Sequence, residues 1–177
     1  QSFGKTHLSF GEPVHLGEFL DEKHPTWREE PRQIGVNDAW VKPLVGDLAN
    51  HVMRRVNAAA VVNPIGLLGL ALLAEPAHTL GERELEQRVD GLLALVKRLR
   101  YSDDIIIDES MTGATVIAQA MPLTHLERIE HPWGDLLAVT GKSAAELTYY
   151  RNNLQHLVVL PGLVASLLHY DDSRTRD

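Results

Sequence analysis

The sequence predicts an α+β chain, mainly α, in which a short stretch of sheet leads into a helical region that carries a β-hairpin. Three observations predict it. Apolar residues recur at three- and four-residue steps in several long stretches, which is one face of an α-helix. Residues 6–10, Thr6-His7-Leu8-Ser9-Phe10, alternate polar and apolar as a half-buried strand does. Pro132-Trp133-Gly134 separates two short runs, residues 125–131 and 135–140, as a hairpin turn would.

The elements follow in order. Residues 1–20 read as the end of a sheet, stopped at Gly11-Glu12-Pro13 because a proline cannot donate to a ladder. A lone strand is not stable, so its partners are expected before Gln1 or from the later hairpin. Residues 21–40 hold Pro25, Pro31 and Gly35 and read as an ordered linker, with Trp27 and Trp40 as lids over apolar surface rather than ligand platforms. The helical region covers residues 41–170. Val41, Val45, Leu48, Val52 and Val56 step as a first helix, with Pro43 in its first turn. Residues 57–60 end or bend it. Asn63-Pro64 reads as the cap and first residue of a second helix, running to about Ala74. Residues 58–74 carry no charge but are at the lower length limit for a membrane span and contain Asn63-Pro64, so a buried core helix is the better reading.

Thr79 and Glu82 have capping-box spacing ahead of a third helix, whose stripe is Leu85, Val89, Leu92, Val96 and Leu99. Lys97, Arg98 and Arg100 close it, as cations suit a helix C-terminus; a phosphate site is the alternative. Residues 102–110 form a loop around Ile105-Ile106-Ile107, a run too short to classify. A short helix spans about residues 112–121. Ser143, with Glu146 three residues on, caps a last long helix whose stripe runs Leu147, Tyr150, Leu154, Leu157, Pro161, Val164 and Leu168. That helix starts amphipathic and ends apolar, so it is expected to plunge into the middle of the protein, bent at Pro161. The apolar half is too short to cross a bilayer and should bury in protein or touch a membrane surface. Residues 171–177 read as a disordered tail.

Composition bounds the chemistry. The 177 residues carry no cysteine, which leaves no disulfide and no thiolate metal site. The net charge of −7 argues against non-specific nucleic-acid binding. The nine histidines are scattered, with no HExxH and no metal-binding cluster. Phosphate-cradling loops and a GxSxG elbow are absent. No His and Asp stand at H-x-x-x-x-D spacing; His7 and Glu12 have that separation, but Pro13 follows and a strand would not bring them together. No signal peptide opens the chain, and its start in mid-pattern reads as an internal piece of something longer.

Three stretches carry a resemblance. GKTHLSFGEPVHLGEFLD, residues 4–21, RVNAAAVVNPIGLLGLALLA, residues 55–74, and LTYYRNNLQHLVVLPGL, residues 147–163, resemble the C-terminal part of the membrane-bound bacterial glycerol-3-phosphate acyltransferases. Their order and spacing fit, and TYYRNN followed by a histidine is the most specific. The resemblance implies that residues 1–20 are the final strand of an acyltransferase α/β sheet. It implies a parent enzyme that moves a fatty acyl group from acyl-CoA or acyl carrier protein, as co-substrate and with no cofactor, to the 1-hydroxyl of glycerol 3-phosphate. The product, lysophosphatidate, feeds phospholipid synthesis at the cytoplasmic face of the bacterial inner membrane.

The family's His and Asp belong to an HxxxxD block that precedes the FGEP strand, so no catalytic residue can be carried onto this chain, which is expected to be inactive alone. Two groups remain as candidates for contact with the catalytic domain or its substrate. One is Phe10, Gly11, Glu12 and Pro13, a strand end and turn that could border the cleft. The other is Tyr150, Arg151, Asn152 and Asn153, which could form a buried polar network, dock the catalytic domain or touch substrate phosphate. No metal and no nucleic acid is expected. The alternatives are a winged-helix-like unit, from the order helix, short helix and hairpin at about 79–140, or a partner-docking module without catalysis.

Overall fold

The computed structural model describes residues 6–29 and 39–174. It divides into two units, residues 8–59 and, in essence, residues 60 onward.

The smaller unit holds α1 (Leu16–Lys23), a 3-10 turn (Pro25–Arg28) and α2 (Val41–Ala58). Phe19, Leu20 and Leu44 form its core, and Trp27, Trp40 and Leu48 pack on them. The two tryptophans are therefore lids, as their setting suggested. Asp21 accepts from Trp27 Nε1 at 2.7 Å and from the Arg28 guanidinium, and these two hydrogen bonds hold its carboxyl below the usual range. Two stretches look different from the pattern reading. Residues 6–15 belong to no strand among the described residues, and a strand needs a partner to complete its ladder. The linker assigned to residues 21–40 is partly structured, since α1 reaches Lys23 and the 3-10 turn follows; residues 30–38 lie outside the described residues. α2 forms where its spacing placed it, but Val45, Val52 and Val56 of its stripe are exposed.

The larger unit contains α3 (Pro64–Leu72), β1 (Thr79–Gly81), α4 (Glu82–Arg98), α5 (Gly113–Ala120), β2 (Glu127–Ile129), β3 (Leu136–Ala138) and α6 (Gly141–Arg174). The sheet is antiparallel in the order β1-β3-β2, with Arg128 opposite Leu137 and Leu80 on Leu137's other side. Helix, strand, two helices and a hairpin in that strand order make a winged-helix-like arrangement, with α6 added against α3. The hairpin turns at Gly134, whose φ of 120° is open to glycine and strained for other residues. Residues 105–107, unclassified by pattern, make a parallel bridge: Ile106 exchanges backbone hydrogen bonds with Ala60 and Val62 at 2.9 Å, and Ile105 is buried.

Caps set the helix starts. Asn63 Oδ1 accepts from Gly66 N–H at 2.8 Å, and Pro64 occupies the first turn where its missing N–H costs little. Thr112 and Thr115 cap α5 reciprocally. Thr112→Ala is expected to lower the stability of this unit by about 1 kcal/mol, read as a lower urea midpoint. Two predicted caps are displaced. Thr79 lies in β1 opposite Ala138, so Gly81 takes the cap position of α4 without a side-chain bond. At α6 the box sits three residues earlier: Thr140 N–H donates to Ser143 Oγ at 2.7 Å and Ser143 N–H to Thr140 Oγ1 at 3.4 Å. Ser143 is thereby the buried third residue, and Glu146 is left to pair with His125. The helix also runs through residues 171–174, assigned to a disordered tail; residues 175–177 lie outside the described residues.

One core cluster joins Leu67, Leu68 and Leu72 of α3, Leu85 and Val89 of α4, Val116 of α5, Leu137 of β3, and Leu147 and Leu154 of α6. The expectation for α6 is half reversed. Its amphipathic first half enters the core, and its apolar second half, from Val159 on, is exposed. The buried core cluster ends at Leu157, with Val158 packed on it, and among the described residues the aliphatic side chains from Val159 on lie outside it.

Candidate functional site

The two candidate groups lie in different units. Phe10, Gly11, Glu12 and Pro13 form an exposed strap, with Phe10 90% exposed. The Glu12 backbone carbonyl accepts a hydrogen bond from the Arg55 guanidinium of α2, which fastens the strap to that helix. No Cβ added at Gly11 would meet another atom, so that glycine is not needed for a close approach.

The second group sits on α6 where it crosses α3. Tyr150 is half-buried against the core, and its ring meets Tyr149 edge-on at 5.5 Å. The backbone of this turn rests on two glycines. A Cβ on Gly66 would lie 3.1 Å from Tyr150 O, and one on Gly69 would lie 3.2 Å from Arg151 Cβ. Arg151 is half-buried, and its guanidinium donates to Asn152 Oδ1 at 3.1 Å. Asn152 and Asn153 are exposed. A buried polar network is therefore not what these residues make: Tyr150 packs, while Arg151, Asn152 and Asn153 present an open polar face. His156, one turn further on, is half-buried and meets Tyr101 edge-on at 6.4 Å. Because Arg151→Ala keeps the Cβ that packs on Gly69 and removes only a half-exposed head, its stability cost is expected to be below about 1 kcal/mol in urea unfolding.

Pattern reading missed the polar bracing of the hairpin. Arg128 on β2 donates both terminal nitrogens to Glu82 at the start of α4, at 2.7 and 2.8 Å, and one of them to Asp135 at 3.2 Å. These acceptors hold the Arg128 guanidinium in its charged form and raise its pKa. The partners are 46 and 7 residues away in sequence, so no local signal pointed to them. Beside this brace an open groove of about 640 Å³ is lined by Glu82, Arg83, Glu86, His131, Trp133 and Asp135 among others. Trp133, at the hairpin tip, is 93% exposed. His131 Nδ1 accepts from the Trp133 backbone N–H at 3.3 Å, so this imidazole shapes the turn.

A histidine next to a carboxylate occurs at His125 and Glu146, 3.0 Å apart. Both are substantially exposed, and neither lines the groove. The pair ties the approach to β2 onto α6, beside Thr140 Oγ1, which donates to His125 O at 3.1 Å. Lys97 bonds the Glu109 carbonyl and carboxylate at 3.2 and 3.1 Å, and Arg100 pairs with Asp103 at 3.0 Å. Two of the three cations closing α4, Lys97 and Arg100, thus have ordinary partners in the following loop. Among the described residues no group of three or more His, Asp or Glu could hold a metal ion. No helix among them is long and apolar enough to cross a membrane.

The arrangement is thus a braced helical unit with one polar helix face. Residues 1–177 match the family model described as the glycerol-3-phosphate acyltransferase C-terminal region. The chain belongs to that family. Curated relatives named glycerol-3-phosphate acyltransferase agree. The one from Shewanella loihica is 40% identical over 99% of this chain and 22% of its own length. That from Xanthomonas campestris is 38% identical over 93% of this chain and 18% of its own. That from Pseudoalteromonas atlantica is 38% identical over 95% and 21%. The chain therefore spans about a fifth of the length of the curated relatives it matches. No solved structure matches it.

Proposed function

We propose that this chain is the non-catalytic C-terminal module of a glycerol-3-phosphate acyltransferase and braces the catalytic domain that precedes it. The intact enzyme transfers a fatty acyl group from acyl-CoA or acyl carrier protein to the 1-hydroxyl of sn-glycerol 3-phosphate. Its product enters phospholipid synthesis at the cytoplasmic face of the inner membrane. Residues 1–20 then belong with the catalytic domain and the helical region from residue 41 is the module proper. The family match over all 177 residues carries the reading. The chain's own chemistry supports the non-catalytic part of it. H-x-x-x-x-D is absent from the sequence, and the one His–carboxylate contact described above is a surface tie. General-base catalysis needs the base within hydrogen-bond reach of a bound hydroxyl, and His125 does not line the groove beside the hairpin.

Purified residues 1–177 are expected to give no acyl-CoA-dependent acylation of glycerol 3-phosphate. Turnover by this piece would sink the scaffold reading. In the intact enzyme, Arg151→Ala with unchanged stability and lost activity would assign the open polar face of α6 to docking or to substrate.

The strand order favours a second reading, a docking module of winged-helix type. α5, in the place of the helix that enters a DNA groove, exposes Ala114, Thr115, Ala118 and Gln119, with no cation. Such a face fits a protein partner better than a polyanion. A salt-dependent shift of a DNA duplex by the chain would revive nucleic acid.

A further inference from the structure

The distal half of α6 leaves the core after Leu157 with a large aliphatic surface. At 100° per residue, Val159, Leu160, Leu163, Val164, Leu167 and Leu168 fall within one half of the helix circumference. All six are exposed, Leu167 to 69%. The other half of the same turns carries only Pro161, Gly162, Ala165, Ser166 and His169. This is a one-sided ridge, and a ridge of this composition in water marks an interface.

Its chemistry narrows the occupant. Between Arg151 and Asp171 there is no Lys, Arg, Asp or Glu. A helix that lies in a membrane surface carries cations on its polar face, and this one has none. A second copy would have to be held by this narrow face against the roughly 800 Å² per partner of a standard interface. A tethered partner faces no such requirement, because a linker supplies millimolar effective concentration. Tethered chain is what the relatives have in quantity: about four fifths of their length lies outside the matched region.

We propose that this ridge seats in an apolar groove of the polypeptide that precedes this chain, a helix-in-groove contact made within one molecule. The inference rests on the scaffold reading above and names the surface through which the scaffold acts. The polar turn of Arg151, Asn152 and Asn153 lies between one and two turns before the ridge on the same helix and would form the rim of the contact.

The test places the photo-cross-linking residue benzoylphenylalanine at Leu163, Leu167 or Ala165, one at a time, in the full-length polypeptide. The expected result is at least tenfold more intramolecular cross-linking from 163 and 167 than from 165, into peptides upstream of Gln1, with yield independent of protein concentration. Cross-links into lipid, or into a second copy with yield falling on dilution, overturn the proposal. So do equal yields at the three positions, or none. Acylation of glycerol 3-phosphate by the unsubstituted protein is measured in the same preparation. Activity without the cross-link sinks only the docking surface, whereas cross-linking without activity sinks the acyltransferase reading.

Discussion

Gly113→Ala is expected to be the most damaging glycine substitution in the larger unit, costing about 3 kcal/mol or more. Gly113 opens α5 where it crosses α4. A Cβ there would lie 2.2 Å from the Glu86 carbonyl oxygen and 2.7 Å from Glu86 C and Cα. All three are backbone atoms of a regular helix, so no side chain can swing aside. The helices must separate, and the buried contacts of Val116 and Ile117 with the core around Leu85 and Val89 open with them. The same shift strains the Gly113 N–H bond to Asp90 Oδ1, 2.6 Å in the native unit, which leaves an orphan donor at a helix start. Alanine's better helix propensity offsets at most about 1 kcal/mol. The measurement is the urea midpoint by far-UV circular dichroism. A cost below about 1 kcal/mol would mean that the α4–α5 crossing is looser than drawn.

Which parts of this structure could be read in the sequence follows from the range of the interactions. Asn63-Pro64 and the stripe of Leu85, Val89, Leu92, Val96 and Leu99 are local signals, and both elements form at those places, although Leu93 rather than Leu92 is buried and Leu99 is exposed. Thr79 shows where local reading fails. Its spacing to Glu82 is a capping box, but pairing with Ala138, 59 positions away, places it in a strand instead. Thr6 to Phe10 fails in the opposite sense: alternation permits a strand, yet a strand exists only where another chain segment supplies the ladder. The same limit explains the end of α6. Hydrophobicity says that Leu160 to Leu168 should be covered, and the covering surface is not in this unit. At the candidate site, TYYRNN was found by resemblance alone. Periodicity placed Tyr150 on the apolar stripe and Asn152 on the polar side opposite it, but it could not show that Gly66 and Gly69 are what let this turn approach α3.

Those two glycines give the second large effect and distinguish a side-chain clash from a backbone clash. A Cβ on Gly66 would stand 2.6 Å from Leu154 Cδ1 and 3.0 Å from its Cγ, whereas one on Gly69 would stand 2.8 Å from the Leu147 carbonyl oxygen. Gly66→Ala is expected to cost about 1–3 kcal/mol, since Leu154 is 1% exposed and has no free rotamer to retreat into. Leu154→Ala alone should cost about 2–5 kcal/mol through the cavity it leaves. In the double variant the new methyl enters that cavity, so the sum is expected to fall short of additivity by about 1–2 kcal/mol. Tyr150 O, at 3.1 Å, keeps the relief from being complete. Gly69→Ala combined with Leu147→Ala should show no such relief, because removing the Leu147 side chain leaves its carbonyl in place. The two double-mutant cycles, read as urea midpoints, therefore differ in coupling even though all four positions lie on one crossing. Equal coupling in both would mean that α6 slides as a rigid body over α3. In that case the TYYRNN turn would move with it, and the polar face it presents would not be fixed by the α3 glycines.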